Sequence, residues 1–225
     1  KKGAIVEELR PNLYDPVEGT TIAEAEVERL SRKTKLVDVR WSVTGDSNHE
    51  PVIISTTRPE LICACGIVLV HPDDSRYQHL VGKSLDLPLP TAGRSKSVEI
   101  KAHPSVNMEF GSGVLMVCSF GDQNDVAVFR ELGLTPFQAI DLEGKITELG
   151  DSLSGMLVLD ARKKAIEILE SKDKIENLVE REQEIPVSER GKNPIEIILL
   201  KEWYVRQTHI QDRMKELSDE INFIP

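Results

Sequence analysis

Short apolar stretches run through the middle of the chain and are separated by Gly, Pro, Asn and Asp. Residues 36–41 alternate between apolar and polar side chains, as a strand with one buried face does. Apolar runs at 51–55, 66–70, 85–89, 98–102 and 114–118 predict further strands, because turn residues bound each of them. Many short strands with turns between them indicate a barrel or sandwich rather than a doubly wound sheet.

Other stretches have helical spacing. Residues 122–132 predict a helix that Asp122 caps and Gly133 ends. Residues 160–172 predict a second helix, with alanine and leucine on one face and Arg and Lys on the other. Near the end of the chain, residues 195–205 predict a strand and 209–217 a short helix. We therefore predict an α+β fold, with a β-barrel-like core that carries helices at its periphery.

Both ends of the chain differ from this core. Turn residues occupy 14–19, residues 20–29 are acidic, and residues 182–194 are polar and rich in turn formers. We predict a connecting segment over residues 1–35, a core domain over 36–185 and a second connecting segment over 186–225.

The composition is that of an ordinary globular protein: 225 residues, 40% hydrophobic and 29% charged. Its apolar runs are too short to cross a bilayer, so no membrane partner is expected. No charged-then-apolar leader opens the sequence, and we expect a cytoplasmic location. The formal net charge of −10 argues against broad binding of a phosphate backbone as the main activity of this chain.

Three cysteines, Cys63, Cys65 and Cys118, are too few for a disulfide framework. We predict Cys63 and Cys65 on the same face of one apolar strand, as small buried side chains. No second pair of Cys or His has the spacing of a zinc site, so no metal and no cofactor are predicted.

Polar side chains directly follow the strand at 51–55. Thr56, Thr57 and Arg58 precede Pro59, which disfavours a helix at Arg58 and keeps that residue extended. Strand alternation turns Thr56 and Thr57 to opposite faces, so both can enter one pocket only at a bulge or turn. From the residues alone, an ordinary strand end with surface hydroxyls explains them as well.

A glycine loop and two carboxylates follow. Gly111, Ser112 and Gly113 form a turn before the strand at 114–118, and glycine also lets a backbone N–H approach a ligand closely. Asp122 at the helix start, with Asp125 three residues later, fits helix capping, which is worth about 1 kcal/mol. The helix N-terminus also favours ionised carboxylates, and an ionised pair suits a substrate ammonium group.

Residues 55–61, 111–113 and 122–125 together resemble the editing domains inserted into the valyl-, isoleucyl- and leucyl-tRNA synthetases. Arg58-Pro59-Glu60, Cys63-Ala64-Cys65 and the stretch from Val117 to Asp122 favour the valyl branch. The resemblance implies a barrel-like editing domain joined to a catalytic body by a ribbon of both chain ends, with residues 201–205 and 221–225 in the return path. It also implies hydrolysis of threonyl-tRNA(Val), with valyl-tRNA(Val) spared.

The resemblance implies a role for each candidate. Thr56, Thr57 and Arg58 match the threonine-rich motif that contacts the aminoacyl group and terminal ribose, and Asp125 anchors the substrate ammonium. Asp122 shapes the pocket or touches the substrate side chain, and Cys118 either replaces a hydroxyl contact or is a core residue. Gly111, Ser112 and Gly113 match a Gly-Thr-Gly loop of the family, and we expect their backbone N–H groups to position water or stabilise an oxyanion. No side chain is expected to act as a covalent nucleophile.

Two departures from the valyl pattern limit this transfer: Met116 stands where some valyl enzymes have Lys, and residues 118–121 replace a Thr-Pro-Ala-His run. The expected partners are the aminoacylated 3′ end of tRNA(Val) and the rest of a synthetase, in a monomer. ATP is expected only in the separate catalytic body, since the two ATP-binding signatures of the synthetases are absent from this sequence.

Three alternatives remain open at this point. An isoleucyl- or leucyl-type editing domain would clear valine or a leucine mimic. A non-catalytic insertion would only guide the tRNA 3′ end. A thiol hydrolase would use Cys118 as its nucleophile.

Overall fold

The computed structural model describes residues 4–221, and these contain ten strands and three α-helices. The described residues divide into two compact units, one of residues 12–198 and one of residues 4–11 with 199–221. The strands are β1 Ile5–Asp15, β2 Thr20–Thr21, β3 Val27–Val43, β4 Val52–Thr56, β5 Cys65–Val70, β6 Ser84–Asp86, β7 Ser97–Ala102, β8 Val114–Cys118, β9 Ile175–Ser188 and β10 Glu196–Val205. The helices are α1 Gln123–Glu131, α2 Val158–Ser171 and α3 Gln211–Glu220.

The larger unit is built on one sheet with the strand order β4-β3-β6-β7-β5-β8, and β9 pairs with β3. Strands β5 and β7 are parallel and the other pairs are antiparallel. Because β4 also lies against β8, the six strands form a nearly closed barrel. The predicted α+β fold with a barrel-like core is therefore confirmed.

Strand β3 shows why this sequence forms the barrel. Its second half alternates strictly, so that Val37, Val39, Trp41 and Val43 are buried while their neighbours are half-buried. This period of two places every second side chain in the core, as the sequence predicted for residues 36–41. The predicted strands at 51–55, 66–70, 98–102 and 114–118 are likewise present as β4, β5, β7 and β8.

Helices α1 and α2 belong to the larger unit and lie near the candidate residues. Helix α1 begins after Asp122, as predicted, and α2 buries Ala161, Ala165 and Leu169. A 3-10 helix over Pro59–Ala64 packs against α2, and every residue of this 3-10 helix is buried. Cys63 therefore lies in this 3-10 helix, and its predicted place on the same strand as Cys65 is wrong.

Strand β9 is the largest element that the sequence did not predict. It pairs with β3 from Val27 opposite Ser188 to Val39 opposite Ile175, and half of its 14 residues are exposed. A two-stranded ribbon of this kind is held by backbone hydrogen bonds rather than by one buried face, so it leaves no apolar period in the sequence. Residues 182–188, predicted as turn-rich, are strand, and the turn begins only at Glu189.

The smaller unit contains the outer parts of β1 and β10 together with α3. Its ion pairs join Lys201 to Glu7 at 2.6 Å and Arg206 to Glu8 at 3.0 Å. The predicted helix at 209–217 is present as α3, all of whose residues are exposed. The predicted return path at 221–225 lies, apart from Ile221, outside the described residues. None of the described helices is long and apolar enough to span a membrane.

Candidate active site

The larger unit holds a cavity of about 780 Å³ beside the open edge of the barrel. Its wall is made by the end of β4, the loop that follows β4, strand β8, the start of α1, the start of α2 and the ribbon of β3 and β9. Six of the nine residues singled out from the sequence line this one cavity: Thr56, Thr57, Arg58, Cys118, Asp122 and Asp125.

Asp125 is the central carboxylate of this cavity. It is only 8% exposed, and its Oδ2 accepts hydrogen bonds from the backbone amides of Gly121 at 2.9 Å and Cys118 at 3.2 Å. Within residues 4–221, its Oδ1 has no hydrogen-bond partner. One oxygen of the carboxylate thus fixes the side chain, and the other is free for a ligand in the cavity.

The pKa of Asp125 is raised to about 7 by its burial and then by the negative charge of Asp122. The hydrogen bonds from Gly121 and Cys118 and the charge of Arg58 oppose this shift. Asp122 is exposed and caps α1, since its Oδ1 accepts from the Asp125 amide at 2.9 Å. Capping therefore explains Asp122, whereas a carboxylate as buried as Asp125 is destabilising when ionised unless a cation joins it.

Three hydroxyl side chains lie on the wall formed by β4 and its end. Thr56 is the last residue of β4, and its Oγ1 accepts a hydrogen bond from the Arg58 amide at 3.0 Å. Thr57 follows in a bend, so strand alternation has ended and both threonines line the cavity. Ser55 lines it too, with its Oγ donating to Asp38 at 2.5 Å.

A buried ionic network holds Arg58 beneath this wall. Its Nε donates to Glu60 at 3.1 Å and its Nη2 to Glu196 at 2.8 Å, and Glu60 also accepts two hydrogen bonds from Arg162. The Glu60 side chain is fully buried. Although burial lowers the pKa of Arg58, the charges of Glu196 and Glu60 raise it above its ordinary value. Arg58 is therefore a fixed cation whose Nη1 also donates to the Gly121 carbonyl at 3.4 Å.

Glu60, Arg162 and Glu196 were missed by the sequence reasoning. Glu60 is the one charged residue in the buried run Pro59–Ala64, and Glu196 begins an apolar strand. A charged side chain in a run that must be buried needs a partner of opposite charge. This signal was present in the sequence, but it does not identify the cation that pairs with each glutamate.

The glycine loop supports the site from outside the cavity. Gly111, Ser112 and Gly113 are not among the lining residues, although the neighbouring Phe110 is. The Gly113 amide donates to the Phe110 carbonyl at 2.9 Å, as the predicted turn requires. Gly111 has a φ of 56°, and a Cβ there would lie 2.6 Å from the Ser55 Oγ, so glycine lets Ser55 keep its place.

The three cysteines are buried thiols. Burial, and then the neighbouring Cys65, raises the pKa of Cys118 well above its ordinary value, and burial raises that of Cys63 to about 12. A thiol nucleophile must be a thiolate, and these shifts oppose ionisation. Cys118 thus lines the cavity as a neutral thiol.

An exposed aromatic side chain lies at the rim of the cavity. Phe110 is 51% exposed, and the guanidinium of Arg181 lies over its ring at 5.7 Å from the centroid. Exposed aromatic and guanidinium planes offer stacking surfaces to a planar group such as a nucleobase.

Within residues 4–221, no three His, Cys, Asp or Glu side chains are grouped closely enough to hold a metal ion.

Comparison with known proteins relates the whole chain to part of longer enzymes. A protein named valine–tRNA ligase from Nanoarchaeum equitans is 39% identical over 225 residues, which are 100% of this chain and 29% of that protein. Those from Thermoplasma acidophilum and Methanocaldococcus jannaschii are 36% and 37% identical over the whole chain, which covers 27% and 25% of their lengths. The chain thus spans less than a third of these relatives. No protein-family model matches it.

Proposed function

The chain belongs to the valine–tRNA ligase family as a segment of such an enzyme, and on this premise we propose that its cavity hydrolyses threonyl-tRNA(Val) and spares valyl-tRNA(Val). The observation that carries the proposal is the Oδ1 of the buried residue Asp125, which has no hydrogen-bond partner within residues 4–221 and lies on the wall of a cavity lined with hydroxyls. An aminoacyl ester brings an α-ammonium group, which supplies the missing partner.

The substrate is oriented by three groups in this proposal. The α-ammonium binds Asp125, and the hydroxyls of Thr56 and Thr57 contact the aminoacyl and ribose oxygens. Phe110 at the rim offers its exposed face to the terminal adenine, since base stacking on an aromatic ring tolerates any sequence. Holding both ends of the ester bond in one geometry lowers the entropic cost of the attack by water.

Discrimination between the two amino acids requires hydrogen bonds to the threonine hydroxyl. Threonine and valine have nearly the same shape, so an apolar pocket separates them poorly, and valine–tRNA ligase is itself the standard example of this difficulty. In a cavity lined by hydroxyls and carboxylates, valine would leave a polar group unpaired. Such a loss is worth about 1–3 kcal/mol for a buried group.

The reaction is hydrolysis of the ester bond. A bound water attacks the carbonyl carbon, the bond from that carbon to the ribose oxygen breaks, and a water proton passes to the ribose oxygen. The products are threonine and tRNA with a free terminal ribose. The neighbouring free ribose hydroxyl orients the water, and the chain itself holds the ester in place.

The remainder of the synthetase and tRNA(Val) are the partners in this proposal, with no cofactor in this segment and a cytoplasmic location. The charge of −10 makes weak binding of tRNA by the isolated chain an expected property.

A deacylation assay tests the proposal. The chain at high concentration is mixed with threonyl-tRNA(Val) or valyl-tRNA(Val), beside an Asp125→Asn variant that keeps an acceptor for the two backbone amides. We expect threonine release by the unaltered chain and none by the variant. Equal release of both amino acids, or full activity of the variant, would contradict the proposal.

A second candidate is a module that guides the tRNA 3′ end without hydrolysis. One observation favours it: the oxyanion role predicted for Gly111, Ser112 and Gly113 stays a prediction, because the Gly113 amide is already bonded to Phe110 and none of the three lines the cavity. Binding of the aminoacylated 3′ end without release of the amino acid, both alone and within the full synthetase, would identify this function.

A further inference from the structure

The ribbon of β3 and β9 extends the wall of the cavity and has two chemically different faces. Antiparallel pairing sets Arg32 opposite Gln183, Thr34 opposite Arg181 and Leu36 opposite Val179. Paired residues point to the same side of a sheet, and residues two apart along a strand share that side. We call the side that carries Arg32, Thr34, Leu36, Arg181 and Gln183 the cationic face, and all five of these residues line the cavity.

Three acidic residues of β9 lie on the other side of the ribbon. Glu180 pairs with Lys35, Glu182 with Lys33 and Glu184 with Ser31, so each is set one residue away from the positions of the cationic face. Between residues 30 and 36 of β3 and between 179 and 185 of β9, the cationic face holds no carboxylate. On this face the two guanidinium groups have neutral neighbours along the ribbon, although Lys33 and Glu184 also line the cavity, in a chain whose formal net charge is −10.

Both arginines of the cationic face are available to an anion. Within residues 4–221 neither forms a salt bridge, whereas Arg190 and Lys192 just beyond β9 are paired with Glu26 and Glu28. Arg32 is steadied by a hydrogen bond from Nη2 to the Lys192 carbonyl at 3.1 Å. Arg181 lies over the ring of Phe110, at the rim where the proposed nucleobase stacks.

We propose that the cationic face is the entry path of single-stranded RNA, with Arg32 and Arg181 holding phosphates of the tRNA 3′ strand as its last nucleotide enters the cavity. The inference rests on the proposed function and adds the surface that delivers the substrate. Arginine suits phosphate, because its planar fork can donate two parallel hydrogen bonds. Thr34 and Gln183 between the two arginines are neutral and do not repel the backbone.

The test measures binding of uncharged tRNA(Val) with an intact 3′ end, so that it does not depend on hydrolysis. Affinity is titrated across about 50 to 200 mM KCl, and the slope of log K against log salt is determined. Each phosphate contact on a single strand contributes about 0.7 to that slope, so Arg32→Gln with Arg181→Gln should reduce it by about 1.4. In the deacylation assay the same variant should raise KM and leave kcat unchanged.

A matched control uses two lysines of the same region that do not line the cavity. Lys35→Gln with Lys192→Gln makes the same change in charge, but Lys35 lies opposite Glu180 and Lys192 is paired with Glu28, so this variant should keep the slope of the unaltered chain. A tRNA shortened by its 3′ single strand should bind the Arg32 and Arg181 variant and the unaltered chain equally. Equal slopes for the two double variants would overturn the inference. Loss of slope in the arginine variant without ester hydrolysis would overturn the proposed hydrolysis and leave this surface supported.

Discussion

The backbone amide of Asp125 donates a hydrogen bond to the Asp122 carboxylate at 2.9 Å, so the residue that caps α1 also sets its charge beside the buried carboxylate of the cavity. Capping and site chemistry are thus joined in one pair of residues. Asp122 stabilises the helix start and raises the pKa of Asp125. The two effects separate in variants that keep the cap and remove the charge.

The first prediction concerns stability against pH. Because burial and Asp122 raise the pKa of Asp125 to about 7, the folded chain holds a proton there that the unfolded chain releases near pH 4. Stability from this group is full below pH 4 and is lost as pH rises through 7. Asp125→Asn has no carboxyl proton to lose. The free energy of unfolding of the variant, relative to that of the unaltered chain, should therefore increase by on the order of 4 kcal/mol between pH 4 and pH 8. Urea unfolding at both pH values measures this, and a constant difference would contradict it.

The second prediction concerns the pH dependence of hydrolysis. The ammonium of the substrate needs ionised Asp125, so kcat/KM should rise with pH around 7. Asp122→Asn keeps a good helix cap and removes the negative charge, which lowers the pKa of Asp125. The rise of kcat/KM should move to lower pH in this variant. Its thermal unfolding should match that of the unaltered chain, because the cap of α1 is kept. Asp122→Ser, which also caps, is the control and should shift the rise in the same direction; an unmoved rise in both variants would show that Asp125 does not control the rate.

Site residues could be predicted from the sequence where the interacting residues are close in the chain, but not where they are far apart in it. Local signals, a strand end before proline and a helix cap, marked Thr56, Thr57, Asp122 and Asp125, and the family resemblance gave these residues their roles in a site. The pairing of Glu60 with Arg162 could not be predicted, since Arg162 is 102 residues away in the chain. The ribbon was also missed, because its pairing leaves both faces largely exposed and no apolar period marks β9.

The third prediction separates water attack from thiol attack. Cys118→Ala removes a buried thiol whose raised pKa opposes thiolate formation. It should destabilise the fold by on the order of 1 kcal/mol through lost packing, and leave the rate of threonine release nearly unchanged. Removal of a true nucleophile would lower kcat by several orders of magnitude. Cys65→Ala, also buried and outside the cavity lining, is the control for packing.

The last prediction concerns the ionic network under Arg58. Glu60→Gln leaves Arg58 and Arg162 partly buried with one negative charge fewer, and it should destabilise the chain by about 3–5 kcal/mol, as loss of one partner of a buried pair does. Asp160→Asn breaks an exposed pair with Lys163 on the same helix and should change stability by less than about 1 kcal/mol. Urea unfolding at pH 7 compares the two.

The double variant Glu60→Gln with Arg162→Gln completes this test. If the cost of the first change comes from an uncompensated guanidinium, removal of Arg162 as well should restore part of the stability, which a double-mutant cycle measures as a coupling free energy. Because Arg58 stays bound to Glu196, the double variant should also keep more activity than Arg58→Gln. Additive losses would show that Glu60 stabilises the chain through packing alone.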